Sequence, residues 1–435
     1  MTGTLQEQHK LIPVIVSIAD KDLRKTIRKV VDGMGMRTVT FAVDDAKCRE
    51  SLTKHPDGLL LIDWQKQKTV GILNRSRGKM FYDPRPIYLF VEEPDSEFLR
   101  IMTDYQVNMV HTGTFEESKI REKMSLVLDE NSVTNVFRKK MNQVAKAERK
   151  GGKAKALALI EEMFEATPQN VQLGMEYCWR LIQADRWDEA ESIIDDFLEA
   201  SCDVPRMMYM KSRCSMHRRD YDSAVKYMKK STLLNPHHAE RLLGLGNLYL
   251  RQNLAGPAKA SFQKAIKAGA ETEGRRGEAS ATFLAGDFDE GINLVKAMAD
   301  DREKAAVYNN TGVICVKYKE FDRARQLYEV GAKMIKDRPL KAMIVFNKSL
   351  CLMKSGEPAQ AMEVCREAMT LNPEYARAKE LLGRLEVKAP ARPAVQQKKQ
   401  AAGAEDLLPV DEVEGDIELD DELDLDELDS LDEMF

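Results

Sequence analysis

One acidic residue stands at the point where an apolar run ends. Asp63 closes the run in the stretch HPDGLLLIDWQ, residues 55–65. An uninterrupted apolar run of this length is typical of a strand buried on both faces. An acid at the carboxyl end of such a strand lies at the edge where open α/β sheets bind their ligands. Asp63 is therefore the first candidate for a group that does chemistry.

The elements that would position Asp63 recur along residues 11–130. Short β-rich runs alternate there with amphipathic segments such as DLRKTIRKVVDGMG. The predicted strands are PVIVSIA (13–19), RTVTFAV (37–43), GLLLID (58–63), PIYLFV (86–91) and VNMVH (107–111). Because helix-like segments separate them, these five strands predict a doubly wound parallel sheet.

The pattern changes near residue 137 to continuous helix with an internal period. Small residues recur there at spacings of 34, 34, 33, 33 and 37. They are Ala190, Ala224, Ala258, Gly291, Ala324 and Ala361. A regular spacing of this kind indicates stacked helical hairpins, because one hairpin cannot bury its own apolar face.

This helical region resembles the tetratricopeptide repeat family in the order of its bulky and small residues. The clearest copy carries Leu242, Leu245, Gly246, Tyr249, Ala258, Phe262 and Ala265. Seven copies start near residues 137, 171, 205, 239, 272, 305 and 342, and a solvating helix follows at 376–387. The resemblance implies a non-catalytic scaffold whose concave face holds a peptide or helix of a partner protein.

That phasing places mostly basic and amide side chains on the concave face. The set is Arg206, Tyr209, Arg213, Asn247, Arg251, Arg276, Asn309, Lys317, Asn347 and Lys354. Such groups hold a carboxylate or an acidic peptide through charge-assisted hydrogen bonds. A polar face common to any solenoid is the plainer alternative, and a phasing error of one residue would change the set.

The sheet region resembles the receiver domain of two-component response regulators. The resemblance implies that Asp63 is the phosphoacceptor and that acids after the first strand hold a divalent cation. The second of those acids is kept as Asp20, whereas Ala19, Val91 and Gly113 stand where receivers have an acid, a hydroxyl and a Lys. We predict a pseudo-receiver that keeps the fold and uses its faces for docking.

The alternative is an active response regulator, with Asp63 as phosphoacceptor and the repeat array as its protein-binding output. A weak Mg²⁺ site at Asp20 and Asp63 belongs to that alternative, and otherwise no cofactor is expected. Asp22 is predicted to be the N-cap of the first helix rather than a ligand.

The last segment of the chain differs from the rest in charge. Residues 405–435 contain 16 acidic and no basic residues, which leaves 66 basic against 55 acidic residues in 1–404. This tail is predicted to be disordered, and a Pro-, Ala- and Gln-rich linker at 388–404 precedes it.

The leucines of the tail follow a helical spacing and predict a docking motif. The motif is Leu425, Leu428, Leu431 and Phe435. It would bind another protein or, in cis, the basic groove of its own array.

Several function classes find little support in the sequence. No phosphate loop, nucleophile elbow or zinc-protease motif is present, which disfavours an enzyme. The seven cysteines are scattered and predict buried reduced thiols. The bases are interleaved with acids, so a nucleic-acid partner is disfavoured. Residues 1–10 form an N-terminal extension without signal-peptide features, and no apolar run has membrane-spanning length; we predict a cytoplasmic signalling adaptor.

Overall fold

The computed structural model describes residues 7, 9–42, 44–77, 85–130, 136–200 and 204–388. The chain divides into two compact units, residues 1–252 with 257–274 and residues 253–256 with 275–435. The first unit contains the sheet domain, residues 11–130, and the earlier repeats. The linker, the acidic tail and its docking motif lie outside the described residues.

The sheet has five parallel strands in the order β2-β1-β3-β4-β5. They are β1 (Val14–Ser17), β2 (Val39–Phe41), β3 (Leu59–Asp63), β4 (Ile87–Val91) and β5 (Met109–Thr112). The helices of this domain are α1 (Lys21–Gly33), α2 (Asp45–Lys54), α3 (Lys66–Arg77), α4 (Ser96–Asp104) and α5 (Glu117–Glu130). The predicted five-stranded parallel sheet is confirmed, and its strand order is the flavodoxin-like one.

Alternate residues of each strand feed two hydrophobic cores, one on each face of the sheet. In β3, Leu59 and Leu61 join the core that includes α1 and α5. Leu60 and Ile62 join the core that includes α2, α3 and α4. Because both faces are covered, the strand reads as a continuous apolar run. The only half-buried residue of β3 is its last one, Asp63.

Paired helices follow the sheet in the first unit. They are α6 (Val136–Arg149), α7 (Lys153–Ala166), α8 (Val171–Gln183), α9 (Trp187–Ala200), α10 (Pro205–His217), α11 (Tyr221–Leu234), α12 (Ala239–Arg251) and α13 (Ala255–Lys267). The small residue of the repeat is required by packing. A Cβ on Gly246 in α12 would lie 2.7 Å from the ring of Phe262 in α13. A larger side chain there would push the two helices apart.

The second unit continues the paired helices after α14 (Glu271–Leu284), which begins in the first unit. They are α15 (Phe288–Lys296), α16 (Asp301–Lys317), α17 (Phe321–Met334), α18 (Arg338–Lys354), α19 (Pro358–Leu371) and α20 (Ala376–Lys388). Helices α16 and α18 begin four residues before the predicted repeat starts at 305 and 342. The reason is local, because Asp300 and Asp337 act as N-caps and accept backbone hydrogen bonds of 2.9 Å.

The cysteine prediction is confirmed for the residues that the structure describes. Six free thiols are buried, at Cys48, Cys178, Cys214, Cys315, Cys351 and Cys365. Burial raises the pKa of each of these thiols, so they stay protonated and unreactive. Cys202 lies outside the described residues. In the same described ranges, no helix has the length and apolar character needed to cross a membrane.

Candidate functional site

Asp63 lies between the ends of β1 and β3, where the strand order of the sheet reverses. Its Oδ2 accepts hydrogen bonds from the backbone N–H of Ala19 at 2.9 Å and of Asp20 at 3.2 Å. The side-chain amide of Gln65 also donates to this oxygen, at 3.3 Å. The carboxylate thus holds the β1–α1 loop in place, which is a structural role for a retained acid.

Asp20 is committed to a helix cap rather than to a ligand. Its Oδ1 accepts a 2.6 Å hydrogen bond from the N–H of Leu23 and caps α1. The prediction that Asp22 is this N-cap is wrong, because Asp22 is a first-turn residue and pairs with Lys25 at 2.8 Å. Asp20, two residues earlier, has the extended backbone that a cap requires.

The two carboxylates predicted for a weak Mg²⁺ site already accept hydrogen bonds from the protein. One oxygen of Asp20 and one of Asp63 accept the backbone hydrogen bonds described above. The Arg24 guanidinium donates to the carbonyls of Ile18 and Ala19, which directly follow β1. Its fixed positive charge disfavours a cation beside these carbonyls. Within the described ranges, no group of three or more His, Cys, Asp or Glu side chains could hold a metal ion.

The positions where the receiver resemblance expects a hydroxyl and an amine carry neither group. Val91, at the end of β4, is apolar and buried. Gly113 has φ +78° and its N–H donates to the carbonyl of Glu92 at 3.0 Å, so it serves as a turn residue. His111 is buried between the hydroxyl of Tyr88 and the carbonyl of Thr114. Burial lowers the pKa of His111, which keeps the imidazole neutral.

The predicted groove residues of the first unit are mostly engaged with other side chains. Arg206 and Tyr209 are buried, and the hydroxyl of Tyr209 donates to Glu240 at 3.1 Å. The half-buried Arg213 packs over the ring of Trp179, 5.0 Å from its centroid. The remaining two differ in burial, since Asn247 is exposed and Arg251 is buried.

The predicted groove residues of the second unit comprise two exposed lysines and three polar side chains that are more buried. Lys317 and Lys354 are exposed, and each is the last residue of its helix, where a cation is also stabilised by the helix dipole. Asn347 is half-buried and donates its side-chain amide to the buried Asn309. Arg276 carries a buried Nε without a hydrogen-bond partner among the described residues.

The first unit also contains a polar contact between the sheet domain and the repeats that the sequence did not indicate. The amide of Asn74 in α3 donates to the carbonyls of His237 and Ala268, both at 2.8 Å. Its Oδ1 accepts from the hydroxyl of Tyr105 at 2.5 Å and from the N–H of Ala239 at 3.1 Å. One side chain thus satisfies groups from both partners of the contact.

A buried ion pair lies beside this amide. Asp104, the last residue of α4, accepts from Arg241 at 2.6 and 2.8 Å and from the amide of Asn235 at 2.7 Å. The side chains of Asp104 and Arg241 are 2% and 1% exposed. Burial alone would raise the pKa of Asp104, but Arg241 holds it at about 2.

Aromatic stacking completes this contact. The ring of Tyr105 stacks on His238 with centroids 5.4 Å apart and an interplanar angle of 4°. Burial and Arg241 hold the pKa of His238 well below its usual value, so a neutral imidazole faces the ring. We call the set of Asn74, Asp104 and Tyr105 with Asn235, His238 and Arg241 the α4 junction.

The family comparison agrees with the helical pairs. Residues 205–238 and 344–375 match the tetratricopeptide repeat family model. The first match coincides with α10 and α11, and the second begins within α18 and ends just after α19. The chain thus carries tetratricopeptide repeats behind a five-stranded parallel sheet, a type of array that commonly binds proteins and peptides.

Solved structures overlap this chain at low identity. A tetratricopeptide repeat protein from Parabacteroides merdae is 15% identical, with a TM-score of 0.41 over 57% of this chain and 98% of its own. YrrB, described as a TPR protein with an unusual peptide-binding site, is 14% identical, with a TM-score of 0.31 over 51% and 96%. The quorum sensor NprR from B. thuringiensis is 13% identical, with a TM-score of 0.36 over 59% and 81%.

Proposed function

We propose that this chain is a protein-binding adaptor. Its repeats hold an acidic segment of a partner protein, and its sheet domain is a receiver-like module that docks without accepting a phosphoryl group. The observation that carries the proposal is the match to tetratricopeptide repeats at residues 205–238 and 344–375. Arrays of this kind present side chains of their first helices to extended or helical peptides. A cytoplasmic signalling scaffold is the role that combines these parts.

The sheet domain supports the second half of the proposal. Its strand order and the position of Asp63 at the end of β3 agree with a receiver-like fold. Its chemistry does not agree with an active receiver, because Val91 and Gly113 lack the hydroxyl and the amine that bind a phosphoryl group. Asp63 has a sufficient structural reason to be present, since it holds the β1–α1 loop.

The second unit supports an acidic peptide as the partner. Asn347 uses one amide hydrogen toward Asn309, and an amide side chain offers further donor and acceptor groups to a peptide backbone. The exposed Lys354 adds a donor suited to carboxylates. The chain's own tail, residues 405–435, has a matching composition and is the cis occupant we propose for this surface.

A charge reversal tests the proposed surface. We expect Lys354→Glu to weaken binding of a labelled peptide of residues 405–435 about fivefold, because one exposed charge contact contributes about 1 kcal/mol. Fluorescence anisotropy would measure the affinity on a chain cut after residue 400, which removes the competing tail. Lys333→Glu, an exposed lysine on the second helix α17, is the matched control. Equal losses in both variants would mean that only net charge matters.

A further inference from the structure

The Asp104 carboxylate is held by the repeats and not by its own domain. Among the residues that the structure describes, its three hydrogen bonds all come from Arg241 and Asn235. Asn235 precedes α12 and Arg241 is the third residue of α12, so both donors lie far along the chain from α4. A carboxylate in contact with a guanidinium fork and an amide has the geometry of an acidic ligand in a binding site.

Arg241 differs in type from the residue at the same helix position in three other helices. Arg241 is the third residue of α12. The third residues of α8, α10 and α20 are apolar and buried, namely Leu173, Met207 and Ala378. In α12 an arginine thus stands where these three helices carry an apolar core side chain, and its burial needs an acidic partner.

The turn before α12 also makes a contact that the corresponding turn in the last repeat does not make. In the last repeat, Asn372 accepts a 3.2 Å hydrogen bond from the N–H two residues later. Asn235 makes the same turn, accepting from His237 at 3.2 Å, and its amide additionally donates to Asp104. The local fold explains an asparagine at both places, and only the carboxylate explains the second use of Asn235.

Asp104 does not use every polar group of this site. It occupies both terminal nitrogens of Arg241, while Nε of Arg241 and Nδ1 of His238 are buried without a hydrogen-bond partner within the described part of the chain. A ligand with more than one acidic group could satisfy more of these atoms.

We propose that Arg241 and Asn235 form a carboxylate-binding site of the repeat array and that Asp104 is its resident ligand in cis. The sheet domain thereby closes the site, and an acidic segment such as residues 405–435 competes with it. The tether of α4 favours the resident carboxylate, so the site is mostly closed to ligands in trans. This site belongs to the first unit and does not depend on the Lys354 surface proposed above.

Replacing Asp104, the resident ligand, tests the proposed carboxylate-binding site. We expect the full chain with Asp104→Ala to bind a labelled peptide of residues 416–435 about tenfold more tightly than the wild type, because Asp104 no longer competes for the site. The chain's own tail is present in both proteins, so the ratio of their affinities reports on Asp104. Glu93→Ala, an exposed acid on the loop before α4, makes the same charge change and should give no gain. An equal affinity of Asp104→Ala and Glu93→Ala would overturn the proposal.

Two further variants assign the gain to this site. Adding Arg241→Met to Asp104→Ala should abolish the gain, and a gain that survives this change overturns the proposal. Adding Lys354→Glu to both the wild type and Asp104→Ala should leave the ratio of their two peptide affinities unchanged, even if the surface of the second unit binds the same peptide. A failure of the Lys354 experiment is thus separate from a failure here.

The wild-type chain gives a readout that does not require any variant to fold. The N–H of Ala239 donates to the side chain of Asn74, so its exchange reports on the α4 junction directly. Saturating peptide should accelerate hydrogen exchange in the fragment that contains Ala239. An unchanged exchange rate at saturation would contradict displacement of the sheet domain.

Discussion

Arg241→Met is expected to lower the free energy of unfolding of the first unit by about 3 kcal/mol, because it leaves the Asp104 carboxylate buried without its positive partner. The three tryptophans, Trp64, Trp179 and Trp187, all lie in this unit, so urea unfolding followed by tryptophan fluorescence reports on it. Lys25→Met, which removes an exposed pair with Asp22, is the control and should leave the free energy of unfolding almost unchanged.

The Asp104–Arg241 pair also predicts how the stability difference between the wild type and Arg241→Met depends on pH. The pKa of Asp104 is lowered from 3.8 to about 2, so the carboxylate contributes stability that is fully present above pH 3.8. That stability is lost as pH falls through about 2. Besides Arg241, the charged or titratable groups that interact with Asp104 include His238, Tyr105 and Arg206, and burial also holds the pKa of His238 well below its usual value. The difference between wild type and Arg241→Met should therefore shrink in acid.

The double variant Asp104→Leu with Arg241→Met separates the charge from the packing. Replacing both members of a buried pair by apolar side chains is often neutral, so most of the lost stability should return. A double variant that is less stable than Arg241→Met alone would contradict the view that an isolated buried charge is the cause.

Asn74→Leu is expected to cost about 3 kcal/mol and to undock the sheet domain from the repeats. The change keeps the size of the side chain but removes four hydrogen bonds, and it leaves the carbonyls of His237 and Ala268 without their donor. Hydrogen exchange in the fragment that contains Ala239 should accelerate, and urea unfolding should give the loss of stability. Both measurements address the contact itself.

Ser76→Ala is the matched control for Asn74→Leu. Ser76 lies on the same helix, and its hydroxyl donates to the carbonyl of Ile72 at 2.9 Å, within α3. Its removal should change stability by less than about 0.5 kcal/mol. If Ser76→Ala and Asn74→Leu accelerated exchange equally, α3 and not the α4 junction would be responsible.

The sheet and the repeats were accessible to sequence reasoning because their signals are local. The apolar run before Asp63 and the alternation of strands with helices predicted the parallel sheet, and the spacing from Ala190 onward predicted the helical pairs. The N-cap of α1 was assigned to Asp22 instead of Asp20, because both acids satisfy the cap preference and only backbone geometry distinguishes them.

The α4 junction was not accessible in the same way, because its members are distant in the sequence. Asp104 and Arg241 are 137 residues apart, and neither belongs to a recognisable motif. One signal was present, since Arg241 stands where other first helices carry Leu173 or Met207. The groove residues Arg206 and Tyr209 were predicted from phasing alone, which does not reveal that they are buried.

Whether Asp63 accepts a phosphoryl group distinguishes a phosphorylation switch from an adaptor. The full chain would be incubated with a small phosphodonor and Mg²⁺, beside Asp63→Asn, and the intact mass of each would be measured. We expect no phosphoryl adduct on either protein, because Val91 and Gly113 supply neither the hydroxyl nor the amine that bind a phosphoryl group in receivers. A phosphoryl adduct on the wild type that is absent from Asp63→Asn would contradict this account and establish an active response regulator.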